Sequence, residues 1–301
     1  MSATATASSR RRGRSTLPGH RRPSTFLTIV GLGALVYFLA PLLWLVIAST
    51  KTNSGLFNSF GFAFAGQFNL FQNVVEVFTR EGGVFVRWLL NTVVYAGVSG
   101  IGASLLATAA GYSFAKFRYP GGRALFSIVL GAIMIPTTAL AIPTFLLFSQ
   151  VGLTNNPLAI ILPSLVNPFG VYLMKVYAEG AIDDSMMEAA RMDGAGEFRV
   201  FWQVCLRLLA PGMVTVLLFS LVATWNNYFL PLIMLNNPDL FPLTVGLSQW
   251  QSAAAAGGGG HVVAFTPVIT GSLVSIIPLI VVFLLLQRYW QSGLSTGGVK
   301  G

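Results

Sequence analysis

A cluster of charged, small and glycine residues between positions 182 and 211 is the part of the sequence best suited to specific chemistry. Ser185 is followed three residues later by Glu188, which is the spacing of a capping box at a helix start. Gly194 stands where glycine favours the end of a helix. The pattern predicts a short helix over residues 186–193. Its methionines and alanines are pliable or small, so they suit docking into a groove on a partner protein.

The same segment could instead lie on the bilayer surface as an interfacial helix. Asp183, Asp184 and Glu188 make it acidic, whereas helices on membrane surfaces favour Lys and Arg on their polar face. Acidic side chains near the first turn also stabilise the positive end of the helix dipole. These residues favour docking on a partner, and the interfacial interpretation stays open at this point.

Several other kinds of site are excluded by residue type. Cys205 is the only cysteine, and the two histidines, His20 and His261, are far apart, so the sequence has neither an intrachain disulfide nor zinc-ligand spacing. Within the predicted spans, neither Gly-x-Ser-x-Gly nor His-Glu-x-x-His occurs. No Asp, Glu, His or Arg lies in the middle of an apolar window, where gradient-driven transporters place their ion relays. We therefore expect neither an enzyme nor a transporter with its own ion pathway.

The composition places most of the protein surface in lipid. Hydrophobic residues make up 54% and charged residues 9% of the 301 residues, and the mean hydropathy is +0.72. A soluble domain has about 25% charged residues, and a membrane span needs about 20 apolar residues. We predict an all-α membrane protein, a six-span bundle with proline-kinked helices. The six predicted spans are residues 26–49, 88–115, 124–150, 157–178, 208–232 and 262–287.

The distribution of Lys and Arg predicts the orientation of these spans. Six arginines precede the first span, and with six spans 15 of the 18 Lys and Arg fall on the side of the N-terminus. The positive-inside rule then places the N- and C-termini in the cytoplasm. Because this rule accounts for the basic residues, we expect no nucleic-acid binding. Residues 1–24 are predicted to be a disordered tail, residues 25–290 the transmembrane domain and residues 291–301 a cytoplasmic tail.

The 182–211 segment resembles the EAA motif of permeases from binding-protein-dependent ATP-binding-cassette importers. Glu188-Ala189-Ala190 is followed by Asp193-Gly194-Ala195 in a loop before the penultimate predicted span, as in that motif. Over nearly the whole chain beyond the arginine-rich tail, the sequence is similar to the carbohydrate branch of that family and resembles the smaller permease of the maltose transporter. The further matches are Asn91, residues 109–117 (AAGYSFAKF), Met134-Ile135-Pro136, Ile142-Pro143, Leu162-Pro163-Ser164, Pro168-Phe169-Gly170, Trp225-Asn226-Asn227 and the ending Gly298-Val299-Lys300-Gly301.

This resemblance implies a type I importer permease fold in the plasma (inner) membrane, together with a set of partners. The implied partners are a second homologous permease, a dimer of ATPase subunits, an extracytoplasmic solute-binding protein and a carbohydrate. ATP and Mg²⁺ would be bound by the ATPase subunits, so no cofactor is expected in this chain. Residues 182–207 would form the coupling loop that contacts the ATPase. The residues implied in that contact are Glu188, Ala189, Ala190, Arg191, Asp193, Gly194 and Ala195.

The resemblance also implies roles for single residues. Glu188 and Arg191 would offer charged contacts to the ATPase, the two alanines would permit close approach, and Gly194 would turn the chain. In the maltose-type relative the C-terminal tail reaches between the ATPase subunits. The residues that would do the same in this chain are Gly297, Gly298 and Lys300.

Trp225, Asn226, Asn227 and Tyr228 are the candidate solute-pathway residues, in the outer half of the fifth predicted span. Sugars are held by hydrogen-bonding side chains and by flat aromatic faces, and this cluster supplies both. The same residues could instead bond between helices or lie in the interfacial aromatic belt. Residues 51–87, rich in Phe and Gly, are a candidate surface for the solute-binding protein.

The class of transported solute and even the transport role have alternatives. A permease of the same fold could carry a polyol or glycerol phosphate, although an anionic solute would favour Lys or Arg at depth in the spans. The chain could also be a non-transporting membrane scaffold or a channel. The EAA-like block and the lack of a ring of charges disfavour that interpretation.

Overall fold

A computed structural model describes residues 24–256 and 264–295, and these residues are helical or lie in connecting loops. Short 3₁₀ turns occupy Arg80–Gly82 and Pro238–Leu240, and a π-helical turn occupies Val200–Cys205. The described residues contain no β-strand, which confirms the predicted all-α class. The α-helices are α1 (Thr25–Ser49), α2 (Asn53–Asn58), α3 (Leu70–Thr79), α4 (Val84–Lys116), α5 (Gly122–Ile133), α6 (Ala141–Gln150), α7 (Leu158–Ser164), α8 (Pro168–Ala181), α9 (Asp184–Met192), α10 (Glu197–Arg199), α11 (Leu206–Trp225), α12 (Phe229–Met234), α13 (Leu243–Ala256) and α14 (Thr266–Ser295).

The chain divides into two units, Met1–Trp44 and Leu45–Gly301. In the first unit the described residues form the N-terminal part of α1, and that part contains no charged residue. A helix of this composition matches the apolar interior of a bilayer. The packing contacts described below lie within the second unit.

Five helical segments among the described residues are long and apolar enough to cross a membrane. They are Thr25–Ser49, Val84–Lys116, Leu158–Ala181, Glu197–Trp225 and Thr266–Gln287. These segments correspond to the first, second, fourth, fifth and sixth predicted spans. The first two residues of the sixth predicted span, 262 and 263, lie outside the described residues.

The predicted third span, residues 124–150, is divided into two shorter helices. Pro136 lies between α5 and α6; it has no N–H for the helix ladder and disfavours helical backbone at Ile135. The two helices have 12 and 10 residues, and each is shorter than the roughly 20 residues that cross a bilayer alone. The structure therefore contains a broken helical pair where the sequence predicts one continuous span.

The fifth predicted span is also displaced and broken. Its helical segment begins at Glu197, before the predicted start at residue 208, and α11 ends at Trp225 instead of residue 232. Residues 226–228 then separate α11 from the short helix α12. Pro231 lies in the first turn of α12, just after this interruption, where a helix tolerates proline.

Helix α4 lies at the centre of the bundle and packs against α8 and α11. Small side chains allow this close approach, as is common between membrane helices. Gly100 lies against Leu217 and Leu221 of α11, and Gly111 lies against the α8 backbone at Met174 and Lys175. The buried small residues on α4 are Ala96, Ser99, Gly100, Ala103, Ser104, Ala107, Thr108 and Gly111.

The N-terminal half of α4 holds the segment 238–243 by side-chain hydrogen bonds. Trp88 Nε1 donates to the Pro238 carbonyl at 3.1 Å, and the Tyr95 hydroxyl donates to the Leu240 carbonyl at 2.9 Å. The Thr92 hydroxyl accepts from the Leu243 N–H at 2.8 Å. These bonds satisfy backbone groups that would otherwise lack partners, so they fix the segment that leads into α13.

Candidate functional site

Helix α9 begins earlier than the sequence predicts. Its N-cap is Asp183, which has extended backbone and whose carboxylate accepts from the Ser185 N–H at 3.1 Å. Ser185 itself lies inside the helix, so the predicted capping box of Ser185 and Glu188 is wrong. Aspartate and serine are about equally good N-caps, so the helix could start after either residue, and the earlier start adds two residues to the helix.

Helix α9 ends where the sequence predicts. Gly194 has φ +80°, in the left-handed region that favours glycine. Its N–H donates to the Arg191 carbonyl and the Ala195 N–H donates to the Ala190 carbonyl, both at 3.0 Å. This is the Schellman arrangement, in which the last carbonyls of the helix find donors. A Cβ at Gly194 would have no heavy atom within 4 Å, so the requirement for glycine is conformational and not steric.

The two faces of α9 differ in what they contact. Met187 is 3% exposed and packs, with the partly buried Ala190, on a cluster formed by α4, α8 and the start of α11. The opposite face is exposed and includes Glu188, Ala189 and Met192, the last at 88% exposure. The helix therefore uses one face for the body of the protein and presents an exposed face with acidic, small and apolar side chains.

A buried cluster supports the loop formed by residues 182–207, which we call the α9 loop. Its core members come from α4, α8, α9, the π-helical turn and α11, together with Ile182 between α8 and α9. Tyr112 of α4 lies 5.0 Å, centroid to centroid, from Phe201 in the π-helical turn. This packing connects the α9 loop to three of the long helices. The buried core members are Ala107, Tyr112, Met174, Ala178, Ile182, Met187, Val200, Cys205, Leu209 and Val216.

An ion pair and a hydrogen bond connect the N-terminal end of α9 to the last residue of α4. Lys116 Nζ donates to the Ile182 carbonyl at 2.6 Å and to the Asp184 carboxylate at 2.8 Å. The Lys116 side chain is 8% exposed, whereas Asp184 is 78% exposed. The hydrogen bond from Lys116 and its charge hold the pKa of the Asp184 carboxyl below its ordinary value.

A second ion pair connects the C-terminal end of α9 to α10. The Nε and Nη2 atoms of Arg191 donate to the two carboxylate oxygens of Glu197 at 2.7 and 3.1 Å. This paired geometry gives stronger and more directional bonding than a single contact. The hydrogen bond to Glu197 raises the pKa of the Arg191 guanidinium. Arg191, which the sequence predicts to contact an ATPase, thus has its partner within the chain.

The other predicted loop residues are all in or beside α9. Glu188, Ala189, Asp193 and Gly194 are exposed, whereas Ala190 and Ala195 are partly buried and pack on the supporting cluster. The structure therefore brings the seven residues of the EAA-like block together, but it turns two of the three alanines inward.

The candidate solute-pathway residues lie at the interruption between α11 and α12. Trp225 is 7% exposed and belongs to the main apolar core, whereas Asn226 is exposed and its Nδ2 donates to the Val222 carbonyl at 2.9 Å. The Asn227 carbonyl accepts from the Thr244 hydroxyl, and the Tyr228 hydroxyl lies 3.1 Å from that of Ser248. The interruption thus places Asn226 and the half-exposed Tyr228 on the surface.

Residues 51–87, predicted to contact a solute-binding protein, contain α2 and α3 and expose many aromatic side chains. The exposed phenylalanines are Phe57, Phe60, Phe62, Phe64, Phe68, Phe71 and Phe78. The predicted tail contacts, Gly297, Gly298 and Lys300, lie outside the described residues. Among the described residues, no group of three or more His, Cys, Asp or Glu could hold a metal ion.

Sequence reasoning missed Lys116 and the hydrogen-bonded segment 238–243. Lys116 is part of the matched AAGYSFAKF segment. A charged residue at the end of an apolar helix is a signal that could have indicated it as a candidate. The contacts from α4 to 238–243 join residues about 150 positions apart, so no local pattern could have indicated them.

The structure is an apolar helical bundle with an exposed helix, α9, that ends at a glycine. The family of binding-protein-dependent transport system inner membrane components matches residues 100–295. The chain belongs to this family, and it is therefore a transport subunit and not an enzyme.

The chain is also similar to individual permeases and to a solved transporter. It is 32% identical to the arabinooligosaccharides transport system permease protein of Halalkalibacterium halodurans, covering 92% of this chain and 97% of that protein. It is 30% identical to the lactose transport system permease protein of Rhizobium radiobacter, covering 89% and 93%. A bacterial ABC transporter involved in the import of the acidic polysaccharide alginate has a chain that matches with TM-score 0.75 and 25% identity, covering 91% of this chain and all of that one.

Proposed function

We propose that this chain is the membrane permease subunit of an ATP-driven importer that moves a sugar or oligosaccharide into the cell. It would form half of the translocation pathway with a second homologous permease. A dimer of ATPase subunits would bind ATP and Mg²⁺, and an extracytoplasmic solute-binding protein would deliver the solute. The family's dependence on binding proteins supports that last partner, and the α9 loop would be the contact with the ATPase in the cytoplasm.

The observation that carries this proposal is the construction of α9. One face is packed on the bundle through Met187, and the opposite face, with Glu188 and Ala189, is exposed. Ion pairs fix both ends of the helix to the rest of the chain. When a partner protein displaces a short helix held in this way, the displacement is transmitted to the helices packed against it, because packed interiors move as rigid elements.

The similarity to named permeases supports a carbohydrate solute. The relatives are named for arabinooligosaccharides and lactose. Within the span Leu158–Ala181 the one basic residue is Lys175, and it forms an ion pair with Glu179. An anionic solute would favour an unpaired cation along the pathway, so this pairing favours a neutral sugar over glycerol phosphate.

Reconstitution tests the proposal directly. The chain would be co-expressed with a candidate second permease, ATPase and solute-binding protein, and the complex placed in liposomes. We expect ATP-dependent uptake of a radiolabelled neutral oligosaccharide. Uptake of glycerol phosphate or a polyol alone would establish the alternative solute, and absence of any ATP-dependent uptake would contradict the proposed function.

Gly194→Asp and Gly196→Asp form a matched pair for the role of the α9 loop. Both glycines are exposed and open around Cα, but only Gly194 has positive φ. Aspartate in the left-handed region costs on the order of 1 kcal/mol, so we expect Gly194→Asp to reduce ATP-driven uptake about fivefold or more. Gly196→Asp should retain most of the uptake. Equal activity of the two variants would show that the turn at Gly194 does not matter for coupling.

A further inference from the structure

Lys116 connects three helix ends at one point of the molecule. It is the last residue of α4, and its ammonium binds the Ile182 carbonyl just beyond α8 and the Asp184 carboxylate in the first turn of α9. The Lys116 side chain is 8% exposed. An ammonium so far removed from water needs such partners, because burying a charge without compensation is costly.

The two partners of Lys116 are chemically suited to it. The carbonyl groups that follow a helix are left without intrahelical donors and carry the negative end of the helix dipole. Ile182 is the C-cap of α8, so its carbonyl lies at that negative end. Asp184 adds a full negative charge at the start of α9. The ammonium therefore joins the end of one helix to the beginning of the next.

Without Lys116, the polar contacts of α9 would connect it mainly to α11. The Arg191 and Glu197 pair connects the end of α9 to α10, which continues through the π-helical turn into α11. The remaining connection from α9 to α4 is apolar packing in the supporting cluster. Lys116 provides the polar connection that fixes the position of α9 relative to α4.

We propose that Lys116 is a positioning residue that ties α9 to α4, so that displacement of α9 by a bound ATPase moves α4 together with α11. This inference rests on the proposed function for the ATPase contact and adds to it the route by which the movement enters the bundle. Because α4 packs on α8 and α11 and holds segment 238–243 at its other end, its movement reaches both ends of the bundle.

The test measures the ratio of sugar imported to ATP hydrolysed by the reconstituted complex. Lys116→Met removes both hydrogen bonds, and we expect the ratio to fall at least fivefold. Asp184→Asn keeps the Ile182 bond and should cause a smaller fall. Lys116→Arg keeps donors and charge, so it should restore at least half of the ratio. Arg118→Met is the matched control, because it removes an exposed cation two residues away and should leave the ratio at the wild-type value.

The ratio separates positioning from a general role in folding. If uptake and hydrolysis fall together and their ratio stays constant, Lys116 is only structural and the proposal is overturned. If the complex that contains Lys116→Met does not assemble, the Asp184→Asn variant tests the proposal instead. The Asp184 side chain is 78% exposed and tolerates replacement. An unchanged ratio in Asp184→Asn would then overturn the proposal, and a lowered ratio would support it.

A second readout does not depend on the identity of the solute. Val86, near the other end of α4, is 40% exposed, and the natural Cys205 is fully buried. In a Val86→Cys variant we expect ATP to change the rate of thiol labelling, and Lys116→Met to abolish that change. An ATP-dependent rate that is the same with and without Lys116 would overturn the proposal. A wild-type complex that shows this change but imports no sugar would instead contradict the proposed function.

Discussion

Asp184 is an exposed acid whose carboxyl pKa is lowered by Lys116 of α4. The hydrogen bond and the charge of Lys116, with smaller contributions from Arg118 and Arg191, keep the pKa of its carboxyl below the ordinary value. A group with a depressed pKa in the folded protein adds stability above its unfolded pKa, about 4. That contribution is lost as the pH falls through the folded pKa.

The pH dependence of Asp184→Asn follows from this linkage. At neutral pH we expect the variant to unfold at a lower temperature than the wild type, because it lacks the ion pair. The difference should shrink as the pH falls below about 4, where the wild-type carboxylate becomes protonated. The measurement is the unfolding temperature of the detergent-solubilised protein between pH 7 and pH 3. A difference that is constant over this range would show that the ion pair does not contribute.

At the scale of single elements, α9 was largely predictable from local sequence. Gly194 was expected to end the helix and has the required positive φ. The start was misplaced because Asp183 and Ser185 are both good caps, and a local pattern cannot choose between them. The choice depends on the Lys116 contact to residues 182 and 184, which joins parts of the chain 66 and 68 positions apart.

The continuous spans were also predictable, whereas the broken ones were not. Long apolar windows define α1, α4 and α14, because hydrophobicity alone places them in the bilayer. The window 124–150 was equally apolar, yet it forms α5 and α6. In membrane helices proline is sometimes tolerated within a span and sometimes ends it, depending on which neighbours can bond the freed carbonyls. The sequence around Pro136 does not contain that information.

Gly111 on α4 gives a direct test of close packing between helices. A Cβ at this position would overlap the backbone of Met174 and Lys175 in α8, whereas a Cβ at Gly97 would have no heavy atom within 4 Å. We expect Gly111→Ala to destabilise the protein by about 1–3 kcal/mol, because α4 and α8 would have to separate. Gly97→Ala should be neutral or stabilising by about 0.5–1 kcal/mol, since alanine favours a helix.

Both glycine variants can be compared by thermal unfolding in the same detergent. The expected order of unfolding temperature is Gly97→Ala at or above the wild type and Gly111→Ala below it. If Gly111→Ala and Gly97→Ala had the same unfolding temperature, that result would contradict the close approach of α4 and α8.

At the scale of the whole molecule, α4 links the two candidate functional regions. Lys116 at its end contacts the α9 loop, and Trp88, Asn91 and Tyr95 near its start contact segment 238–243. That segment lies between α12 and α13, which follow the interruption with the candidate solute residues. The sequence indicated each region separately through motif and residue type. It could not indicate the connection, because that connection depends on contacts between distant parts of the chain.

Asn91 is the residue of α4 that tests this connection at the end distant from the α9 loop. Its Nδ2 donates to the Asp239 carbonyl at 2.8 Å and to the Phe241 carbonyl at 3.0 Å. Each such bond contributes on the order of 1 kcal/mol, so Asn91→Ala should weaken the attachment of segment 238–243 by about 1–2 kcal/mol. A loss of this size corresponds to roughly tenfold faster opening of the segment.

Hydrogen exchange of backbone amides in segment 238–243 measures that opening. We expect the Leu243 N–H, which donates to Thr92, to exchange about tenfold faster in Asn91→Ala than in the wild type. Asn236→Ala is the matched control, because Asn236 bonds Asn155 through its backbone N–H and exposes its side chain. The control should exchange at the wild-type rate. Unchanged exchange in Asn91→Ala would mean that the Asn91 bonds do not hold this segment, and that they do not pass movement of α4 to the region beside Tyr228.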